Sequence, residues 1–87
     1  MNYHVNLSLE AEKVDRKANS ALIKKLDRCF EQLEINPYSH PNIKVLKGNY
    51  HGCYRYRVED YRVVYSVNES TILVNVIVIA HRSKVYE

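Results

Sequence analysis

The chain has no tryptophan, one phenylalanine, and two each of cysteine, proline and glycine. So few glycines and prolines exclude a long low-complexity or disordered tract. Two cysteines, Cys29 and Cys53, are too few for a small secreted disulfide scaffold, and no basic stretch with an apolar signal core opens the sequence. A reducing cytoplasm is the expected compartment. The longest apolar run, Ile72 to Ala80, is interrupted by Asn75 and is about half the roughly 18 residues a membrane helix needs, so no membrane role is expected. The histidines (His4, His40, His51, His81) and the cysteines show no zinc-site spacing, and neither metal nor cofactor is expected. At 87 residues there is room for one domain, spanning 1–87, with one modest core and one compact site.

What the chain does have is tyrosine, eight of them, and positive charge that is unevenly distributed. Residues 1–43 carry six basic and six acidic side chains, whereas residues 44–87 carry seven and four. A polyanion partner for the second half fits that asymmetry, and so does a mildly basic surface of no functional meaning.

Tyr3, Val5 and Leu7 alternate with polar residues, the period of a half-buried strand. Ser8 is placed to cap a helix carrying Ala11, Val14 and Ala18. Asn19 or Ser20 can cap a second helix whose stripe of Leu22, Ile23, Leu26, Cys29, Phe30 and Leu33 ends before Pro37. Residues 37–52 read as an irregular connection with a short strand near Ile43–Leu46. Tyr54–Val58, Tyr61–Val67 and Ile72–Ala80, separated by short polar breaks, describe an antiparallel meander, the last strand apolar on both faces and therefore central. The expected fold is α+β: a strand, a helix hairpin, then a three- or four-stranded antiparallel sheet.

With Glu59-Asp60 at the hairpin tip, residue 57 pairs with 62, 55 with 64 and 54 with 65. Parity then puts Tyr54, Tyr56, Val58, Tyr61, Val63, Tyr65 and Val67 on one face and Arg55, Arg57 and Arg62 on the other. Like charges directly opposite on a sheet destabilise it by up to about 1 kcal/mol. Converging on phosphate is one reason to keep them, and splaying into water is the bland alternative. Beyond the last strand the polarity switches abruptly at His81, Arg82, Ser83 and Lys84, with Tyr86 next to last. A histidine that changes charge near neutral pH, an arginine and a tyrosine meet the needs of metal-free RNA cleavage: a base for the 2′-hydroxyl, cations for the developing charge, an acid for the leaving oxygen. A frayed basic tail would look the same.

Leu46-Lys47-Gly48, CYRYRVEDYRVVYSV from Cys53 to Val67, and VIVIAHRSKVYE from Val76 to Glu87 together resemble the signature of RelE-type toxins of the RelE/ParE superfamily. The resemblance implies a microbial RNase-like fold, cleavage of messenger RNA in the ribosomal A site, and neutralisation by a cognate antitoxin, with operator DNA bound only through the toxin–antitoxin complex. It assigns Arg55 and Arg57 to the reactive phosphate, where relatives often have lysines. Arg62 falls to phosphate binding, Arg82 to the transition state or leaving group, and Tyr86 to base stacking and proton transfer; His81 occupies a position often basic in the family. Arginine stays protonated, so Arg55 and Arg57 cannot act as bases, and Tyr86 or His81 is left for that task. Lys44, Lys47 and Lys84 are candidate contacts to RNA or the ribosome. A ParE-like poison of DNA gyrase shares the fold without needing Arg62, Arg82 and Tyr86 for chemistry, and a noncatalytic RNA-binding module is a third reading.

Overall fold

The computed structural model describes residues 2–84. Strand β1 (His4–Leu7) leads into helix α1 (Leu9–Lys17), which turns through two residues into helix α2 (Ser20–Ile35). Four strands follow: β2 (Ile43–Val45), β3 (Tyr54–Val58), β4 (Tyr61–Asn68) and β5 (Leu73–His81), with single 3-10 turns at Gly48–Tyr50 and Arg82–Lys84.

Both helix starts use the side chains the sequence offers. Ser8 Oγ accepts from Ala11 N at 3.1 Å and Asn19 Oδ1 accepts from Leu22 N at 2.9 Å, each satisfying an otherwise orphaned amide. Ser8 also donates its hydroxyl to Ile77 O at 2.6 Å, fixing the start of α1 to β5.

The sheet is larger than the meander alone. Its order is β1-β5-β4-β3-β2, with β2 to β5 antiparallel and β1 added parallel to β5, so the expected three or four antiparallel strands become a mixed sheet of five. The helix hairpin carries the chain from β1 at one edge to β2 at the other across one face of the sheet, and the meander then returns to set β5 beside β1. Leu26, Cys29 and Leu33 of α2 and Ala11 of α1 are fully buried against Val63, Tyr65, Val74, Val76 and Ile79. Fully burying a leucine contributes about 1.5–3 kcal/mol, so α2 holds the sheet more firmly than the polar α1. β5 lies between β1 and β4, with Val74, Val76 and Ile79 buried under the helices and Ile77 exposed.

Four tyrosines brace the lower end of this layer. Tyr3, Tyr38, Tyr54 and Tyr65 form a chain of ring contacts with centroids 6.4, 5.4 and 5.7 Å apart. Tyr65 is completely buried, and its hydroxyl donates to Pro37 O at 2.7 Å.

Candidate phosphate-binding face

The β3–β4 hairpin turns at Glu59-Asp60, with Glu59 in the left-handed region at φ 54°. That two-residue turn sets the register: Tyr54 opposite Tyr65, Arg55 opposite Val64, Tyr56 opposite Val63, Arg57 opposite Arg62, Val58 opposite Tyr61. Tyr56, Val63 and Tyr65 go under the helices, and alternation sends Arg55, Arg57 and Arg62 to the open face.

The register of the neighbouring strands extends this into two rows. Lys44 stands opposite Arg55, followed across the sheet by Val64 and Val78; Arg57 stands opposite Arg62, followed by Ala80. Four cations from three strands therefore sit on adjacent rungs, backed by small or branched apolar residues. Val64 is fully buried on this face, and Leu46 and Val64 are buried outside the helix-side core.

Arg55 is held rather than splayed. Its Nη1 donates to Asn42 O at 2.7 Å, and the same carbonyl accepts Arg57 N at 3.0 Å. Asn42 is set in turn by His40, whose Nδ1 accepts Asn42 N at 3.0 Å while its ring stacks on Tyr56 at 5.1 Å. Partial burial, then the charges of Arg57 and Arg62, lower the Arg55 pKa from its ordinary value. The guanidinium groups thus feel one another, which a bound phosphate would relieve. Asn42 was not legible as part of the site, because a backbone carbonyl acceptor leaves no mark in side-chain identity.

The C-terminal tract divides. Arg82 begins the last 3-10 turn; its amide donates to Asp60 O at 2.7 Å and its Nε lies 3.8 Å from Asp60 Oδ1, so the exposed side chain sits at the hairpin tip. His81 pairs with Tyr61 and, by alternation, belongs to the helix side, opposite the arginine rows. Its ring packs edge-on against Tyr61 at 5.3 Å, and Nδ1 lies 2.9 Å from Ser83 Oγ. The geometry therefore does not bring His81 together with Arg55, Arg57 and Arg62. His81 instead lines a 690 Å³ cleft beside the upper part of β5 with Val14, Ala18, Leu22, Tyr50 and Tyr61. Lys47 is exposed immediately before the 3-10 turn that carries Tyr50, in a loop bracketed by Gly48 at φ 68° and Gly52 at φ 90°. Tyr86 lies outside the described residues, and Lys84 closes the last turn. Among the described residues no three of His, Cys, Asp and Glu gather as a metal would require, and no helix is long and apolar enough to cross a membrane.

A family model described as the ParE toxin of type II toxin–antitoxin systems, parDE, matches residues 7–86. Comparison with curated proteins finds no match. Among solved structures, the archaeal RelE–RelB complex from Pyrococcus horikoshii OT3 contains a chain 26% identical, with a TM-score of 0.81 over 98% of this chain and 100% of that one. The intact E. coli RelBE toxin–antitoxin complex gives 25% identity and a TM-score of 0.75 over 91% of this chain and 95% of that one. The YoeB/ParE toxin from Agrobacterium tumefaciens, at 18% identity and a TM-score of 0.80 over 90% and 96%, shares the fold.

Proposed function

The chain belongs to the ParE toxin family of type II toxin–antitoxin systems, and from that premise we propose that it is a messenger-RNA endoribonuclease acting on the ribosome rather than a poison of DNA gyrase. One observation carries this reading: the paired rows Lys44–Arg55 and Arg57–Arg62, with Arg55 anchored to Asn42 O. A protein-binding surface has no need to set Arg57 against Arg62, whereas a site for a doubly charged phosphorane does. Guanidinium forks match phosphate oxygens bidentately and stay charged at every working pH.

In this reading the RNA backbone lies across the open face. Arg57 and Arg62 grip the scissile phosphate, Arg55 and Lys44 support it from the adjacent rung, and Arg82 reaches from the hairpin tip to the departing 5′-oxygen. The 2′-oxygen attacks phosphorus, forming a cyclic phosphate as the bond to the 5′-oxygen breaks and that oxygen takes up a proton from water to leave as a hydroxyl. The 2′-proton goes to a group other than arginine, and the near-terminal tyrosine of the motif, Tyr86, is the base in this reading. The reaction draws on positioning and charge neutralisation and needs no metal or cofactor. The partner that restrains it is a cognate antitoxin, as in the RelE–RelB and RelBE complexes the fold resembles. The site of action is the cytoplasm, where the ribosomes are.

Primer extension on messages after brief expression of the wild type and of Arg62→Ala and Arg82→Ala variants tests this. New 5′-ends within translated codons, lost in both variants, are expected. Growth arrest with intact messages and broken DNA would move the protein to the gyrase poisons.

A further inference from the structure

Two clefts flank helix α2, and different charges line them. Asp27, Glu31 and Glu34 line a cleft with Asp15 next to β1. Lys25 and Arg28, one turn apart on the other flank, border a separate 200 Å³ notch beside β3. The notch exists because β2 begins its pairing at Ile43, opposite Tyr56, which leaves the β3 edge from Val58 onward without a strand neighbour. Arg57 and Asn42, which border the open-face cation rows, are also among the residues that line it.

Three cations meet one carboxylate there, since Glu59 bonds Lys25. Arg28 is exposed, and neither Arg28 nor Arg57 makes an ion pair among the described residues. At 200 Å³ the notch has room for one tetrahedral anion and not for a folded peptide. Because Arg57 is common to the notch and the open face, a strand leaving the open face over the β3 edge meets Arg28 next.

We propose that the β3-edge notch, between Arg57 and the α2 residues Lys25 and Arg28, binds a backbone phosphate of the substrate RNA strand flanking the scissile phosphate. The proposal rests on the nuclease reading and adds to it a sequence-independent contact, made by a helix that the motif carrying the chemistry does not include.

The test is fluorescence anisotropy with a labelled 2′-O-methyl oligoribonucleotide, which cannot be cleaved, titrated at several salt concentrations with the wild type, Arg28→Ala and Arg28→Lys. For single strands each lost phosphate contact lowers the slope of log K against log salt by about 0.7, the loss expected for Arg28→Ala, while Arg28→Lys keeps the wild-type slope. Cleavage on programmed ribosomes should show a raised KM with kcat unchanged for Arg28→Ala, and equal melting temperatures exclude a folding defect. An unchanged slope, or no salt-dependent binding by the wild type, overturns the proposal. So does weaker binding of Arg28→Ala to vacant ribosomes with the oligonucleotide slope intact, which would assign the notch to ribosomal RNA. Wild-type protein that binds the oligonucleotide through Arg28 yet leaves ribosomal messages uncut would instead defeat the nuclease reading and leave the notch standing.

Discussion

Arg57 and Arg62 face each other as a cross-strand pair, one rung in from the Val58–Tyr61 pair that closes the hairpin. A pair of this kind costs a sheet up to about 1 kcal/mol relative to a neutral pair. Arg57→Gln is therefore expected to stabilise the fold, raising Tm by a few degrees, since 1 kcal/mol corresponds to about 4–8 °C in a domain this small. The same variant should lose on the order of 100-fold in cleavage, the usual consequence of removing one preorganised charge from a transition state. Thermal melts and single-turnover cleavage measured on one preparation check both halves. A variant that is less stable and equally active would show that the pair is structural.

Tyr65 joins the chain of tyrosines to the connection before β2. Tyr65→Phe keeps the ring contact with Tyr54 and removes only the hydroxyl that donates to Pro37 O, in a residue with no solvent exposure. An unmade buried hydrogen bond of this type costs about 1–3 kcal/mol. Urea unfolding should show that loss with an unchanged slope, and the open face should retain its activity.

Two carboxylates pull the pH dependence of stability in opposite directions. Burial, then the neighbouring Asp27 charge, raise the Asp15 pKa above its ordinary value of 3.8. Asp15 Oδ1 is buried without a hydrogen-bond partner among the described residues. The folded state therefore holds this proton more tightly than the unfolded chain, and stability is lost as pH rises from 3.8 through the raised folded value. Asp15→Asn should increase Tm at pH 7, with the gain vanishing below pH 3.8.

Glu69 has the reverse sign. Hydrogen bonds from Tyr38 and Tyr3 lower its pKa below the ordinary 4.5. Tyr3 donates to Glu69 Oε2 at 2.8 Å, and Tyr38 also bonds that oxygen. Its stabilisation is present above pH 4.5 and is lost as pH falls through the depressed folded value, so Glu69→Gln should flatten the acid limb of a Tm-against-pH curve. A curve that keeps its acid limb would assign acid unfolding to other carboxylates. Glu69 is exposed, so a small effect is expected.

The elements were legible where a local rule governs them. Ser8 and Asn19 are caps in both readings, the α2 stripe is the buried stripe, and the Glu59-Asp60 turn fixes a register in which Arg57 meets Arg62. The parallel pairing of β1 with β5 was not legible, because it is a long-range choice that leaves the period of each strand unchanged. Nor could periodicity reveal the irregularity at Val64/Tyr65, across which Tyr65 pairs with Val76 while Val64 pairs with Val78. Residue chemistry grouped His81 with Arg82, but neighbours in a strand point to opposite faces, and pairing with Tyr61 decides which one His81 takes.

That parity leads to the last prediction. His81 and Arg82 are adjacent in sequence, yet His81 packs on Tyr61 and faces the cleft beside α1, while Arg82 stands at Asp60 by the hairpin tip. A general base must come within about 3 Å of the proton it takes, directly or through one water. For RNA bound over Arg57 and Arg62, His81 would have to leave both Tyr61 and Ser83, cross the sheet edge and reverse its face. His81→Ala should therefore lower cleavage less than 10-fold and leave the shape of the pH–rate profile unchanged, at a modest cost in stability from the lost ring contact. Tyr86→Phe should lower cleavage by about 100-fold or more, within the 10²–10⁴ contribution of general acid–base groups. If His81→Ala removes a limb of the profile while Tyr86→Phe does not, the histidine is the base, and the strand end must rearrange when RNA binds.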